Sequence, residues 1–456
     1  MQTQAAIDFP LMTRWFQQQR RRLSDFAPVD LKGRIIGISG ILLECSLPRA
    51  RIGDLCLVER QDGSQVMAEV VGFSPRNTFL SALGALDGIA QGAAVAPLYQ
   101  PHCIQVSDRL FGSVLDGFGR ALEDGGESAF VQPGELHGNA QPVLGDAPPP
   151  TARPRIATPL PTGLRAIDGL LTLGQGQRVG IFAGAGCGKT TLLAELARNT
   201  PCDAIVFGLI GERGRELREF LDHELDDDLR RRTVLVCSTS DRSSMERARA
   251  AFTATAIAEA YRAAGKQVLL IIDSLTRFAR AQREIGLALG EPQGRGGLPP
   301  SVYTLLPRLV ERAGQTQTGA ITALYSVLIE QDSMNDPVAD EVRSLIDGHI
   351  VLTRRLAEQG HYPAIDVLAS LSRTMSNVVD GGHNRHAGAV RRLMAAYKQV
   401  EMLIRLGEYQ SGHDALTDSA VNAQQDITRF LRQAMRDPMA YDDIQQQLAE
   451  VSAHAP

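Results

Sequence analysis

The chain has 456 residues, 44% hydrophobic and 22% charged, with a formal net charge of −5 and a pI near 6.0. Since one domain usually spans about 100–200 residues, this length predicts two or three globular domains, and the acidic balance leaves no global basic field for gripping nucleic acid. No apolar run reaches the roughly 18 residues that a membrane span needs, and six scattered cysteines without a C-x-x-C pair argue against a zinc site or a disulfide framework.

In chain order, residues 1–26 lack the apolar centre of a secretory signal, so a cytosolic protein is expected. Leu11-Met12-Thr13-Arg14-Trp15-Phe16 followed by Arg20-Arg21-Arg22 forms a basic amphipathic stretch around the single tryptophan. It reads either as the solvated end of a short helix or as a peripheral, non-inserting membrane contact. Residues 27–100 hold short β-like segments, among them Gly33–Ile38, Leu42–Cys45, Asp54–Glu59 and Val66–Phe73, whose close spacing and Gly, Ser and Asp turns predict a small barrel. Pro148-Pro149-Pro150 and Pro154 mark an extended connection inside the second zone, residues 101–383. Apolar runs at Val179–Phe182, Ala204–Gly208, Val234–Cys237, Val268–Asp273, Thr322–Leu328 and Ile350–Leu352 alternate there with helical stretches such as Glu246–Ala264 and Thr276–Leu289. That alternation predicts a parallel sheet covered by helices on both faces. From 384 to 456 the pattern turns helical, with Ala389–Leu406 and Asp418–Met435 carrying apolar residues at three- and four-residue spacing.

The chemistry concentrates in the second zone. Ala183–Thr190 reads A-G-A-G-C-G-K-T between an apolar run and a helix-like segment. Glycines let successive backbone N–H groups curl around phosphates, the helix N-terminus adds its positive end, and Lys189 reaches the β- and γ-phosphates. The expected contacts are Gly184, Ala185, Gly186, Cys187, Gly188, Lys189, Thr190 and Thr191, with the Thr190 hydroxyl on Mg²⁺. Ala183 stands where the strict pattern asks for glycine. Asp273, closing the strand Val268–Asp273, is the second expected Mg²⁺ ligand. Glu212, after another apolar strand, lies where a carboxylate can polarise an attacking water, or else is a helix-start acid or one partner of a surface pair with Arg213 or Arg215.

From about Gly33 to Gln433 the chain resembles the type III secretion ATPases, relatives of the rotary ATP synthase catalytic subunit. Val114-Leu115-Asp116-Gly117-Phe118-Gly119-Arg120 is similar to the family's hinge into the ATPase domain, and Ile167–Arg178 to the run before the phosphate loop. Alanine at Ala183 is usual there. The resemblance implies an α/β P-loop core of the RecA/ATP-synthase type, with a small N-terminal β-barrel and a C-terminal helical domain. It also implies a catalytic role for Glu212 with Arg213 beside it, packing of Tyr362 on adenine, and an arginine finger at Arg373 that acts on a neighbour in a homohexameric ring. ATP and Mg²⁺ are the implied substrate and cofactor. Implied partners are a stator or regulator at the N-terminus, a central stalk protein, secretion chaperones, export substrates and the export gate, with peripheral association at the inner membrane. The segment Ser238–Arg247 and the Gly-Cys-Gly-Lys-Thr loop sit closer to the injectisome branch than to the flagellar one. The loop Gly290–Pro300 resembles the family's proline-rich loop near the ring centre, but Leu298 departs from the pattern, in which an aromatic precedes the Pro-Pro pair, here Pro299-Pro300. Two other classes remain open: a hexameric RNA translocase, against which the barrel's few aromatics argue, and a non-catalytic rotary subunit, against which Glu212 argues.

Overall fold

The computed structural model describes residues 15–16, 32–123, 125–132, 140–329, 336–412 and 414–456. The N-terminal contact segment therefore lies outside the described residues, apart from Trp15 and Phe16, both exposed.

Six strands close into a barrel: β1 (Gly33–Ser39), β2 (Leu42–Ser46), β3 (Asp54–Glu59), β4 (Gln65–Phe73), β5 (Thr78–Ala82) and β6 (Ala94–Pro101). Their order around the barrel is β1-β2-β5-β4-β3-β6, and β1 meets β6 at Gly33 and Val95, so no edge is left to recruit another strand. Ile35, Leu43, Val58, Val70, Leu80 and Val95 fill the interior. Two of these strands, β5 and β6, are not among the segments named from the sequence pattern, although the predicted barrel spans them. Pro97 and Pro101 in β6 donate no ladder hydrogen bond, which hides its strand character in the sequence.

The middle zone is an open sheet built from β7 (Val114–Leu115), β8 (Arg178–Ala183), β9 (Ala204–Glu212), β10 (Thr233–Thr239), β11 (Gln267–Asp273), β12 (Ala320–Leu328), β13 (Gly348–Leu352) and β14 (Leu371–Ser372). They lie in the order β14-β13-β8-β12-β11-β9-β10-β7; β14 runs antiparallel to β13, and a short strand at Gly314–Gln315 pairs antiparallel with β12. The remaining neighbours are parallel. In β9, Ile205, Phe207 and Leu209 enter one core while Ala204, Val206 and Ile210 enter the other. A strand buried on both faces cannot alternate with polar residues, which is why these segments read as continuous apolar runs. The covering helices include α1 (Lys189–Asn199), α2 (Ser244–Ala263) and α3 (Leu275–Ala288).

Three helices complete the chain: α4 (Gly381–Leu406), α5 (Ala415–Leu431) and α6 (Tyr441–Ser452). Asp380 caps α4 by accepting the His383 N–H at 2.8 Å, so the helix starts ahead of the expected Ala389. Because α5 ends at Leu431, Met435, expected within a helix, lies outside it, in a non-helical strap, residues 432–440, that turns at Met435 and Arg436. No described helix is long and apolar enough to cross a membrane. Cys45, Cys56, Cys103, Cys187 and Cys237 are buried and Cys202 partly so.

Barrel and sheet domain are joined by a buried ion pair. The Arg249 Nη2 on α2 donates to both oxygens of Glu69 on β4, at 2.6 and 2.5 Å, with side-chain exposures of 6% and 5%. Removing one partner strands a buried charge, so Glu69→Ala should cost about 3 kcal/mol of unfolding free energy in a urea titration. A loss under about 1 kcal/mol would show that water reaches Arg249 and that the pair does not clamp the domains.

Candidate functional site

The carboxyl ends of the parallel strands gather the predicted chemistry. After β8 the chain turns through Gly186 and Gly188 at φ of +81° and +80°, left-handed values that side chains with a Cβ avoid, and α1 begins at Lys189. The first N–H groups of α1 have no helical acceptor and point toward an incoming anion. Thr190 sits exposed at this helix start. The Lys189 ammonium donates to Oδ1 of Asp273, which is only 3% exposed, and the Ser326 hydroxyl on β12 donates to the same oxygen at 2.6 Å. No local pattern marks Ser326, whose partner is 53 positions away. A threonine hydroxyl and a carboxylate are hard oxygen donors, the set that suits Mg²⁺.

Glu212 arrives from β9 through a local irregularity. The ladder to β10 shifts register between Ile210 and Glu212, with Gly211 at φ +66°, as in a bulge that re-aims one side chain. Its carboxylate accepts from Arg277 Nη2 on α3 at 3.1 Å rather than pairing with Arg213 or Arg215. Arg213 is 79% exposed with its nearest acid, Glu216, at 3.7 Å, and Arg215 binds Glu219 at 2.9 Å. Within one chain, then, Glu212, Lys189 and Asp273 converge, while Arg213 points outward. Burial pushes the Glu212 carboxyl up to about 7, the neighbouring Glu216 and Asp273 carboxyls adding to it, and Lys189 and Arg277 oppose the rise. A carboxylate in that range is suited to take a proton near neutral pH.

Beside the loop lies a cavity of about 500 Å³ lined by Gly186, Cys187, Gly188, Leu192, Tyr362, Pro363 and the strap residues Gln433, Ala434 and Met435. The Tyr362 ring is 47% exposed and lies over the glycine turn, 3.8 Å from where a Cβ on Gly188 would be. Gln433 fixes the strap, donating to Gly163 O at 2.7 Å and Asp437 O at 2.6 Å while accepting from Arg165 N at 2.9 Å. Gly163 is in turn held by Asp168, whose carboxylate takes the N–H groups of Thr162 and Gly163 at 2.9 Å. Asp168, in the motif Ile167-Asp168-Gly169, thereby shapes the strap side of the cavity.

Arg373 stands at the other end of the sheet. It follows β14, its N–H donates to Asp347 O at 3.0 Å, and Asp347 precedes the start of β13. The length of β8 and β13, five to six residues or about 17 Å, separates that edge from the phosphate loop. Exposed, and bonded to Ile346 O at 3.4 Å, it cannot serve the phosphate loop of its own chain. Leu298, where an aromatic was expected, is 6% exposed and packed in the core; the same loop presents Arg295, 85% exposed, to solvent.

Glycine turn, lysine, strand-end aspartate and nearby carboxylate on one sheet edge define a P-loop nucleotide hydrolase. The family models agree: the ATP synthase alpha/beta family β-barrel domain matches residues 35–98, its nucleotide-binding domain matches 163–372, and the T3SS EscN ATPase C-terminal domain matches 379–450. The type 3 secretion system ATPase of Pseudomonas savastanoi pv. phaseolicola is 64% identical over 98% of this chain and 99% of its own. The flagellum-specific ATP synthase of Pseudomonas aeruginosa is more distant, at 45% over 93% of each chain. Among solved structures, the assembled ATPase EscN of enteropathogenic E. coli superposes with a TM-score of 0.86 at 46% identity, covering 92% of this chain and 100% of EscN; in complex with its central stalk EscO, the TM-score is 0.82 at the same identity and coverage. The chain belongs to the type 3 secretion system ATPases, on the injectisome rather than the flagellar side.

The Glu212 environment sets a pH dependence. Arg277→Ala removes a cation that favours the carboxylate, so Glu212 should titrate at higher pH in the variant than in the wild type. Carboxyl ¹³C shifts of labelled glutamates would register this; an unchanged titration would detach Arg277 from Glu212.

Proposed function

We propose that this ATPase hydrolyses Mg²⁺-bound ATP at sites completed between subunits of a ring, to energise protein export. The convergence of Lys189, Asp273 and Glu212 on one sheet edge, with Arg373 on the opposite edge, carries the reading. Backbone N–H groups of Gly184–Thr191 and the Lys189 ammonium bind the phosphates, and Tyr362 with the strap encloses the base. Thr190 and Asp273 would hold Mg²⁺, which neutralises charge on the phosphate oxygens when bound. Glu212 orients a water and accepts its proton as the water oxygen bonds to the γ-phosphorus and ADP departs with the electron pair of the broken P–O bond. Arg373 from a neighbour stabilises the charge spread over the transferring group, an effect worth about 10³–10⁵ in rate for such fingers. Exposed Arg213 is proposed to act across the same junction.

A homohexameric ring follows from the trans finger together with the similarity to an assembled relative. A central stalk protein is the proposed occupant of its middle, where Arg295 supplies a charged rather than aromatic contact. Chaperones, export substrates and the export gate are the proposed clients. Residues 1–26 are the proposed stator contact, holding the ring peripherally at the inner membrane.

Hydrolysis measured against protein concentration tests the junction: the wild type should rise more steeply than linearly, and Arg373→Ala should lose about 10³-fold in rate. Turnover linear in enzyme and indifferent to that substitution would remove the shared site, and strong stimulation by RNA would move the function to nucleic-acid translocation. Glu212→Gln should bind ATP normally yet turn over at least about 10²-fold more slowly. In the wild type the rate should rise with pH through about 7 as Glu212 loses its proton, the acid limb vanishing in Glu212→Gln.

A further inference from the structure

A buried carboxylate on the back of the phosphate-loop helix has no part in the chemistry above. Glu195, on α1, is 5% exposed and lines the base end of the cavity. One of its oxygens takes the Arg198 guanidinium, and the other, Oε2, accepts the backbone N–H of Arg436 at 3.0 Å. Arg436 belongs to the strap and holds a left-handed φ of +58°, a conformation that a residue with a Cβ keeps only when its surroundings fix it. Its guanidinium reaches across to His223 O at 3.1 Å. Arg198 binds Glu224 O at 3.1 Å and Asp226 Oδ2 at 3.3 Å, on the segment that follows Glu212 in the chain. Glu195 thus ties α1 to the strap directly and, through Arg198 and Arg436, both of them to residues 223–226. Gly163 presses on the strap from the other side, where a Cβ would come within 2.8 Å of Pro438.

We propose that Glu195 is a positioning residue: with the Arg436 N–H it forms a clasp that holds the strap Gln433–Met435 against the base end of a bound nucleotide. The proposal rests on the nucleotide-site reading. It assigns Glu195 to binding of the nucleoside portion and leaves the triphosphate portion to the glycine turn and Lys189. A hydrogen bond to a charged acceptor is worth enough that breaking it should loosen the nucleoside end by about tenfold.

The test compares two probes on the full-length protein, a fluorescent ADP and inorganic tripolyphosphate, which carries no base. Glu195→Ala and Arg436→Pro should each weaken ADP binding about tenfold while tripolyphosphate binding stays within about twofold. Proline removes the N–H and cannot adopt positive φ, and it acts from the exposed strap, so this variant retains the folded core if Glu195→Ala does not. Arg436→Gly, which keeps the N–H and suits the left-handed backbone, should recover most of the lost affinity relative to Arg436→Pro. Equal weakening of both probes would make Glu195 a fold-supporting residue of α1 and overturn the clasp, as would unchanged ADP binding in both clasp-breaking variants. A wild type that binds neither probe would overturn the nucleotide-site reading itself, and the clasp with it.

Discussion

A carboxylate as enclosed as Asp273 is tolerable only with charge and hydrogen bonds brought to it, and the site is organised around that demand. Lys189 supplies the cation from the start of α1, and Ser326 supplies a hydroxyl from β12. To do so, the end of β11, the glycine turn after β8 and the end of β12 must lie side by side, which the strand order β8-β12-β11 provides. β9, the next strand, then brings Glu212 to the same edge. One electrostatic requirement and one sheet order therefore assemble the chemistry from segments scattered over the domain.

The same edge explains why Glu212 is held high while sitting beside cations. Its surroundings are apolar enough to penalise charge, and Glu216 and Asp273 add repulsion that Arg277 and Lys189 only partly offset. The outcome is a group poised between its two protonation states. The strap from the helical domain closes the other end of the cavity beside the glycine turn, so that cavity is walled by two domains while the barrel, clamped through Glu69 and Arg249, rides on the sheet domain.

Much of this was legible in the residues because local chemistry announces itself locally. A glycine-rich turn before Lys189 and an apolar run ending on Asp273 each carry their meaning within ten residues, and two-sided burial made the central strands continuous apolar stretches. What stayed hidden depends on partners far along the chain. Arg277 meets Glu212 across 65 positions, and Ser326 meets Asp273 across 53. Strand β6 hides behind its prolines, and the first part of the strap reads as helix because Gln433, Ala434 and Met435 are good helix formers, while its non-helical course is set by distant contacts, Gln433 with Gly163 and Arg436 with Glu195. The outward course of Arg213 and the far-edge position of Arg373 are properties of topology, which a motif does not encode.

The separation of Glu212 and Arg373 to opposite edges of one sheet has a genetic corollary. If each site borrows its guanidinium from next door, a chain lacking the carboxylate can still lend its arginine, and a chain lacking the arginine can still offer an intact pocket. Two crippled alleles expressed together would then restore working junctions wherever the sound half of one chain faces the sound half of the other. The sheet, by keeping the two halves apart within a subunit, would then make the ring rather than the polypeptide the unit on which such alleles are scored.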